Sequence, residues 1–391
     1  MASGSRVPTT RHVALLVETS NAYARGLLVG VRRYLTGRPG WSIYIGEHSR
    51  QDTDLSWLEG WRGDGVLARI ENEETALQVR RLGVPAVDLS SAGLAPEFPC
   101  VETDDETIAR WAVDHFAERG LENFAFCGDS RFGWSVKRQA RFAEHVREQG
   151  GEAHVFELSA SSTAADNRRS LVEWLRELPK PVGVLACYDI AGQELLEACK
   201  VAELAVPDAV AILGVDNDDL LCNLTSPPMS SIQPDTTRTG YLAAQLLDEM
   251  MAGVAHEPRL HLIPPLRIVP RQSSDIFSVD DPLVAKALRF IRDGAADAVT
   301  VDAVMRHVGL SRRSLDYRFV ALLGRTVHDE IVRVRMGRVA ELLLQTDWTL
   351  PQIAERLGFS HSEYMGVAFR KHTGKAPGEF RRANRGQVSR V

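Results

Sequence analysis

Two groups of side chains in this 391-residue chain have types and spacings that could do chemistry. The first lies near the C-terminus, where one pattern occurs twice. Val304 to Ser311 is followed by Leu315, Phe319 and Gly324; Ile353 to Ser360 is followed by Met365, Phe369 and Gly374, and these last three pairs are each offset by 50 residues. Each copy reads as a short amphipathic helix, a glycine turn and a second amphipathic helix, the form of a helix-turn-helix. Helical spacing turns Leu315 and Phe319 inward. It leaves Arg312, Arg313, Asp316 and Tyr317 outward near the helix start, where base edges are reached. Arginine pairs bidentately with guanine, and aspartate accepts from cytosine. In the second copy Ser362 and Glu363 are the base readers, and His361, Arg370 and Lys371 suit phosphates. Two such units in tandem fit successive major grooves of double-stranded DNA, about 34 Å apart.

The second group follows apolar, β-rich runs. Glu18 to Arg25, with Tyr23 and Arg25 at its end, follows 12–17; Asp129 and Ser130 follow 124–127; Tyr188 and Asp189 follow 182–187; Asp216 and Asn217 follow 210–215. Carboxylates and amides accept from hydroxyls while rings stack on C–H faces, so the set suits a neutral polyol. Acids at strand ends also serve as helix N-caps. Only their clustering points to a ligand.

These side chains need elements to position them. Unbroken apolar runs alternating with amphipathic helical patterns, such as 108–119 and 138–149, predict parallel strands buried on both faces in a doubly wound α/β fold. About ten strands are too many for one such sheet, which predicts two lobes. Ligands in such sheets bind beyond the C-terminal strand ends. In the C-terminal part a helix from Thr326 to Thr346 joins the two helix-turn-helix units, with Ile331, Val334, Leu342 and Leu343 inward and Arg333, Arg335 and Arg338 forming a basic side. The expected division is a sensor over 12–272, a linker over 273–281, a double helix-turn-helix domain over 282–383 and a disordered tail over 384–391.

Charge separates the two parts. Residues 280–391 hold 19 Lys and Arg against 13 Asp and Glu, a balance of +6, while the whole chain is −6 (46 against 52), leaving −12 for residues 1–279. A basic C-terminal piece on an acidic body marks the part that meets phosphates. No apolar run reaches the roughly 20 residues of a membrane helix. The N-terminus lacks an apolar stretch after a basic start, so no secretory signal is expected, and the five cysteines, without a Cys-x-x-Cys pair, read as reduced cytoplasmic thiols. No dinucleotide fingerprint, phosphate loop or zinc motif occurs, and no cofactor or metal is expected. His256 and His261 come nearest to a metal spacing and read as a surface loop.

The C-terminal segment resembles the AraC/XylS class of transcription regulators. Gly309-Leu310-Ser311, Leu315, Arg318-Phe319, Ile353-Ala354, Gly358-Phe359, Phe369, Gly374, Pro377 and Phe380-Arg381 carry the likeness. Residues 12–272 resemble the periplasmic-binding-protein-like sugar domain of LacI-type repressors, on Gly214-Val215-Asp216-Asn217, the segment from Pro227 to Asp235, and Arg138 ahead of Phe142. The resemblance implies that Arg313, Asp316 and Tyr317 read bases, that Arg318 supports structure or touches phosphate, and that Asp216 and Arg138 hold a sugar. It places Gly366-Val367 where relatives carry polar readers, so the second half-site should be read less stringently.

The combined expectation is an α/β two-lobed periplasmic-binding-protein-like sensor plus an all-α double helix-turn-helix domain. It would act as a cytoplasmic, homodimeric, sugar-responsive activator of a pentose operon, with a xylose-like aldopentose as effector and RNA polymerase as a further partner. A sugar-processing enzyme fused to a DNA anchor is the competing class, and the absence of a paired acid/base motif argues against it.

Overall fold

The structure, a computed structural model, describes all residues except 1–9, 39, 47–54, 59, 91, 159–162, 277–280, 295–298 and 389–391. It divides into two compact units, Met1–Ile276 and Phe277–Val391.

The first unit has two lobes. β1 (Arg11–Leu16), α1 (Ala22–Leu35), β2 (Trp41–Ile45), β3 (Gly65–Ala68), α2 (Glu73–Leu82), β4 (Ala86–Asp88) and β5 (Cys100–Thr103) begin the first lobe. The second holds α3 (Asp105–Ala117), β6 (Asn123–Asp129), α4 (Gly133–Glu148), β7 (Ala153–Leu158), α5 (Ala164–Glu177), β8 (Val182–Ala186), α6 (Asp189–Val201), β9 (Val210–Val215), α7 (Asp219–Leu224) and β10 (Ser230–Gln233). The chain then returns through α8 (Thr236–Met251) and β11 (Leu260–Ile263) to the first lobe and ends with β12 (Arg267–Val269) in the second. One sheet has the order β11-β5-β4-β3-β1-β2, all parallel; the other is β12-β10-β9-β8-β6-β7, parallel except for edge strand β12.

Parallel strands buried on both faces explain the continuous apolar runs: β3, β8 and β9 are buried at every residue. The chain therefore passes between the lobes at Asp104, at 234–235 and at 264–266. The crossings are tied together by backbone bonds, Asp104 N–H to Ile263 O at 2.9 Å and Leu266 N–H to Gln233 O at 2.7 Å. In the first lobe α1 and α8 pack closely enough that only glycine fits at the contact. A Cβ on Gly240 would sit 2.0 Å from Leu27 O, and one on Gly30 would sit 2.2 Å from Thr237 O.

Three expectations need correction here. His261 lies on strand β11 rather than in a surface loop, because it pairs with Val101 in the sheet register. Ser273 and Ser274 are not linker: both are fully buried, and Ser273 Oγ donates to Ile212 O at 2.7 Å while Ser274 Oγ meets His115 Nε2 at 2.8 Å. Their polarity serves internal hydrogen bonds, which composition alone could not distinguish from solvation. The strands β5, β7 and β10, which periodicity missed, are short or amphipathic.

The second unit is all helical: α9 (Pro282–Asp293), α10 (Val301–Val308), α11 (Arg312–Leu323), α12 (Val327–Gln345), α13 (Leu350–Arg356), α14 (Ser362–Thr373) and α15 (Pro377–Val388). It has two cores. One joins α9, α10 and α11 to the start of α12 through Leu315, Phe319 and Ile331; the other joins the end of α12 to α13 and α14 through Leu343, Met365 and Phe369. The repeat is thus two small bundles sharing one long helix. Gly324 and Gly374 end α11 and α14 in the left-handed region at φ 66° and 75°, where glycine carries no Cβ penalty. α15 runs to Val388, into the stretch expected to be a disordered tail, since a helix already nucleated extends at little cost; residues 389–391 lie outside the described residues. No described helix is long and apolar enough to cross a membrane.

Candidate ligand cavity and nucleic-acid interface

Between the two lobes, at the C-terminal ends of the strands, lies a small cavity with about 30 Å³ of free space. The first lobe contributes Tyr23, Arg69, Leu89, Ser90, Glu102 and Thr103; the second contributes Asp105, Trp134, Arg138 and Asp216.

The two arginines are positioned by named partners. Arg69 follows β3 and donates through Nη1 to both oxygens of Glu18 at 3.0 Å, and through Nη2 to Glu71. Burial opposes its charge, yet the two glutamates hold its pKa above the ordinary value. Its guanidinium lies 5.1 Å from the ring centroid of Tyr23, whose hydroxyl is 3.1 Å from Thr103 Oγ1 and is pushed by burial up to about 12. From the other lobe Arg138, on α4, donates through Nε to Asp105 at 2.7 Å and through Nη1 to Cys187 O. It lies 5.3 Å from the ring of Trp134, which stacks on Phe132 at 5.3 Å and 14°. The cavity therefore has an aromatic wall and two arginines whose planes are fixed before any ligand arrives.

Asp216 reaches the cavity through an unusual backbone. It has φ 114°, a conformation that a non-glycine residue holds only when its surroundings impose it, and Asn217 follows at φ 48°, in the left-handed region that asparagine tolerates. The imposing contacts are clear. Asp216 N–H donates to Ile232 O at 3.0 Å, Asn217 N–H to Ser231 Oγ at 3.0 Å, and Asp218 N–H to Asp189 Oδ2 at 2.7 Å. Asp189 also accepts from Ser231 Oγ at 2.6 Å and from Cys222 Sγ at 3.3 Å.

Among the expected sugar ligands, Asp216, Arg138 and Tyr23 meet in the cavity. Asp189 does not line it; buried beneath the loop, with its pKa pushed up to about 8 by burial and by Asp216, it holds the loop that presents Asp216. Asn217 likewise lies outside the lining. Arg25 is exposed, donates to Thr19 O at 3.1 Å and reaches Asp218 at 3.9 Å.

In the second unit, Ser311 caps α11 by accepting from Ser314 N–H at 3.3 Å. Arg312, Arg313 and Tyr317 are exposed, Tyr317 at 76%. Asp316 differs from its expected role. One carboxylate oxygen accepts from Val327 N–H at 3.1 Å, at the start of α12, and the other faces Arg312 at 3.7 Å. Arg318 pairs with Asp281, the residue that caps α9, which is the structural alternative expected for it. In α14, His361 is the N-cap without a side-chain cap bond, Ser362 is half-buried, and Glu363, Arg370 and Lys371 are exposed. Gly366 faces open space: a Cβ there would meet nothing within 4 Å. The basic side expected of α12 is partly internal, because Arg335 stacks 3.8 Å from the Phe359 ring centroid and donates to Leu357 O at 2.7 Å. Arg333 pairs with the fully buried Glu330 at 2.7 Å.

Three family profiles match the chain: the XylR N-terminal domain over 12–106, a periplasmic binding protein-like domain over 113–274, and a helix-turn-helix domain over 304–383. The xylose operon regulatory protein of Haemophilus influenzae is 30% identical over 94% of this chain and 97% of its own length. That of Escherichia coli strain K12 is 30% identical over 96% and 98%. This chain belongs to the xylose operon regulatory protein family. A solved structure of a xylose-binding transcription activator superposes with a TM-score of 0.80 at 29% identity, covering 96% of this chain and 98% of that one.

For this member of the family, sequence reasoning missed Arg69, Glu102, Thr103, Asp105 and Trp134 as cavity residues. Arg69 was open to discovery, because it directly follows a buried strand. Glu102 and Thr103 were not, because β5 has four residues and shows no period.

Proposed function

We propose that this regulator binds xylose or a closely related aldopentose between the lobes of its first unit and activates a pentose catabolic operon. Asp216 and Arg138 would hold sugar hydroxyls, Arg69 would add donors from the opposite lobe, and Trp134 and Tyr23 would cover the C–H faces. The carrying observation is the strained Asp216, held at φ 114° with its carboxylate in a cavity already furnished with arginines and rings. Strain of this kind collects at ligand clamps. The solved relative named as a xylose-binding activator supports the choice of sugar and of activation.

Sugar would favour one arrangement of the two lobes through contacts made from both of them. The second unit would place α11 and α14 in successive major grooves. The protein would act as a cytoplasmic homodimer and contact RNA polymerase. We read it as a regulator without turnover, in keeping with the names of its relatives. Calorimetry with a panel of aldopentoses and hexoses, run beside operator binding with and without each sugar, tests the reading. A sugar that binds, changes operator affinity and is recovered unchanged supports it. Failure of every sugar to bind, or conversion of the sugar, overturns it.

A further inference from the structure

Glu102 sits near the end of β5 and lines the inter-lobe cavity, and the residue is 7% exposed. Among the described residues no hydrogen-bond donor reaches that carboxyl, and the two arginines that line the cavity with it are held by other groups. Arg69 is held by Glu18 and Glu71, and Arg138 by Asp105 and Cys187 O. Asp105 and Asp216 face the same cavity, and Asp88 lies on the neighbouring strand. A buried carboxylate without donors, beside other carboxylates, is costly and resolves by keeping its proton. A neutral sugar brings no charge to change this balance, and by displacing water it strengthens the repulsion.

We propose that Glu102 contacts the effector as the neutral acid, donating its proton to one sugar oxygen and accepting from a second hydroxyl. The proposal rests on the reading of this cavity as a sugar site. It gives the cavity complementary acids: Asp216 as acceptor, Glu102 as donor and acceptor together. Burial, followed by Asp105, pushes Glu102 up to about 8, while Lys137 and Arg138 pull the other way. The remaining groups facing it do not reverse this. Cys100 stays a thiol, raised by burial, Tyr23 is pushed up to about 12, and Asp88 to about 7. On β11 its register partner is the uncharged Leu262. The helix α8 packs on the opposite face of β5, with Val101.

Because the protonated form binds, effector affinity is level below the free pKa and falls as pH rises through it, approaching about tenfold per pH unit. Isothermal titration of D-xylose between about pH 7 and pH 9.5 reads this slope in the wild type, in Glu102→Gln and in Glu102→Met. The slope should be present in the wild type and lost in both variants, and the Met variant should also bind about tenfold or more weakly at every pH. Comparison with the variants separates Glu102 from Asp189, which titrates in the same window. Infrared difference spectra of the sugar-free protein, wild type minus each variant at neutral pH, should show a protonated carboxyl band from Glu102 in addition to any from Asp189 and Asp88. Affinity that rises with pH, a slope that survives in both variants, or a missing band overturns the proposal. A wild type that shows the band yet binds no D-xylose sinks the sugar reading, and the contact with it.

Discussion

Arg25 of the first lobe faces Asp218 of the second, guanidinium to carboxylate at 3.9 Å. The pair bridges the two lobes, and neither residue lines the cavity. Arg25 is therefore expected to act on the arrangement of the lobes rather than on the sugar. An exposed pair of this kind is worth about 0–1 kcal/mol. Arg25→Ala should weaken D-xylose binding about two- to fivefold, with the loss shrinking at high salt. A loss above about a hundredfold in calorimetry would mean that Arg25 is itself a sugar ligand.

Asp216→Asn should weaken D-xylose binding by about an order of magnitude or more, since a charge-assisted hydrogen bond is worth roughly 1.5–3 kcal/mol. The bonds that hold the loop come from the backbone N–H groups of 216–218 and survive the change, so the loop should keep its shape and the thermal midpoint should change little. Unchanged affinity in a folded variant would remove Asp216 from the site.

Arg313 and Asp316 should behave differently although both lie in the first turns of α11. Arg313→Ala should relax base preference at one operator position and cost about 1–3 kcal/mol. Asp316→Ala removes an acceptor from the start of α12 and should lower the stability of the second unit by about 0.5–2 kcal/mol, as loss of a cap does. Binding-site selection and denaturant melts of both variants decide the matter; a new base preference in Asp316→Ala at intact stability would restore it as a reader.

The two recognition helices should read DNA unequally. Val367 stands 50 residues after Tyr317 and is 69% exposed, yet offers no hydrogen bond. Val367→Ala should change little. Arg370→Ala or Lys371→Ala should weaken binding to all sequences and flatten the salt slope by about one unit each. A far half-site as information-rich as the near one, degraded by Val367→Ala, contradicts this asymmetry.

His115 supplies a pH dependence of stability. Burial, with Arg119 adding to it, lowers its pKa from 6.5 to about 3, so it is neutral in the fold. The unfolded chain takes up that proton below 6.5, and the native state does not. Stability is therefore complete above 6.5 and is lost as pH falls toward 3, by at most about 1.4 kcal/mol per pH unit. In urea melts across that range, His115→Gln should fall less steeply than the wild type; parallel curves would show that His115 does not titrate in this way.

Much of the architecture was legible without coordinates because it rests on periods. Val13 to Leu16 and Val210 to Val215 read as buried strands since both faces of each sheet are covered. Leu315, Phe319, Met365 and Phe369 read as core because residues four apart share a helix face, and all four are fully buried. The cavity was legible only in part. Asp216 directly follows a strand, where the fold puts ligands, whereas Tyr23 and Trp134 come from the first turns of α1 and α4 and Arg138 from further inside α4.

The amino-acid sequence alone determined the two-part organisation, the doubled helix-turn-helix and the family, because local period, charge balance and spaced motifs are properties of a one-dimensional chain. Only the tertiary structure decided what each polar group does. Asp189 and Asp216 are both acids that follow buried strands, yet one anchors a loop with three hydrogen bonds while the other faces the cavity. Asp316 and Arg313 are both outward-facing charges of one helix, yet one is engaged by the next helix. A side chain's role follows from which donors and acceptors surround it, and those neighbours come from segments that are far away along the chain.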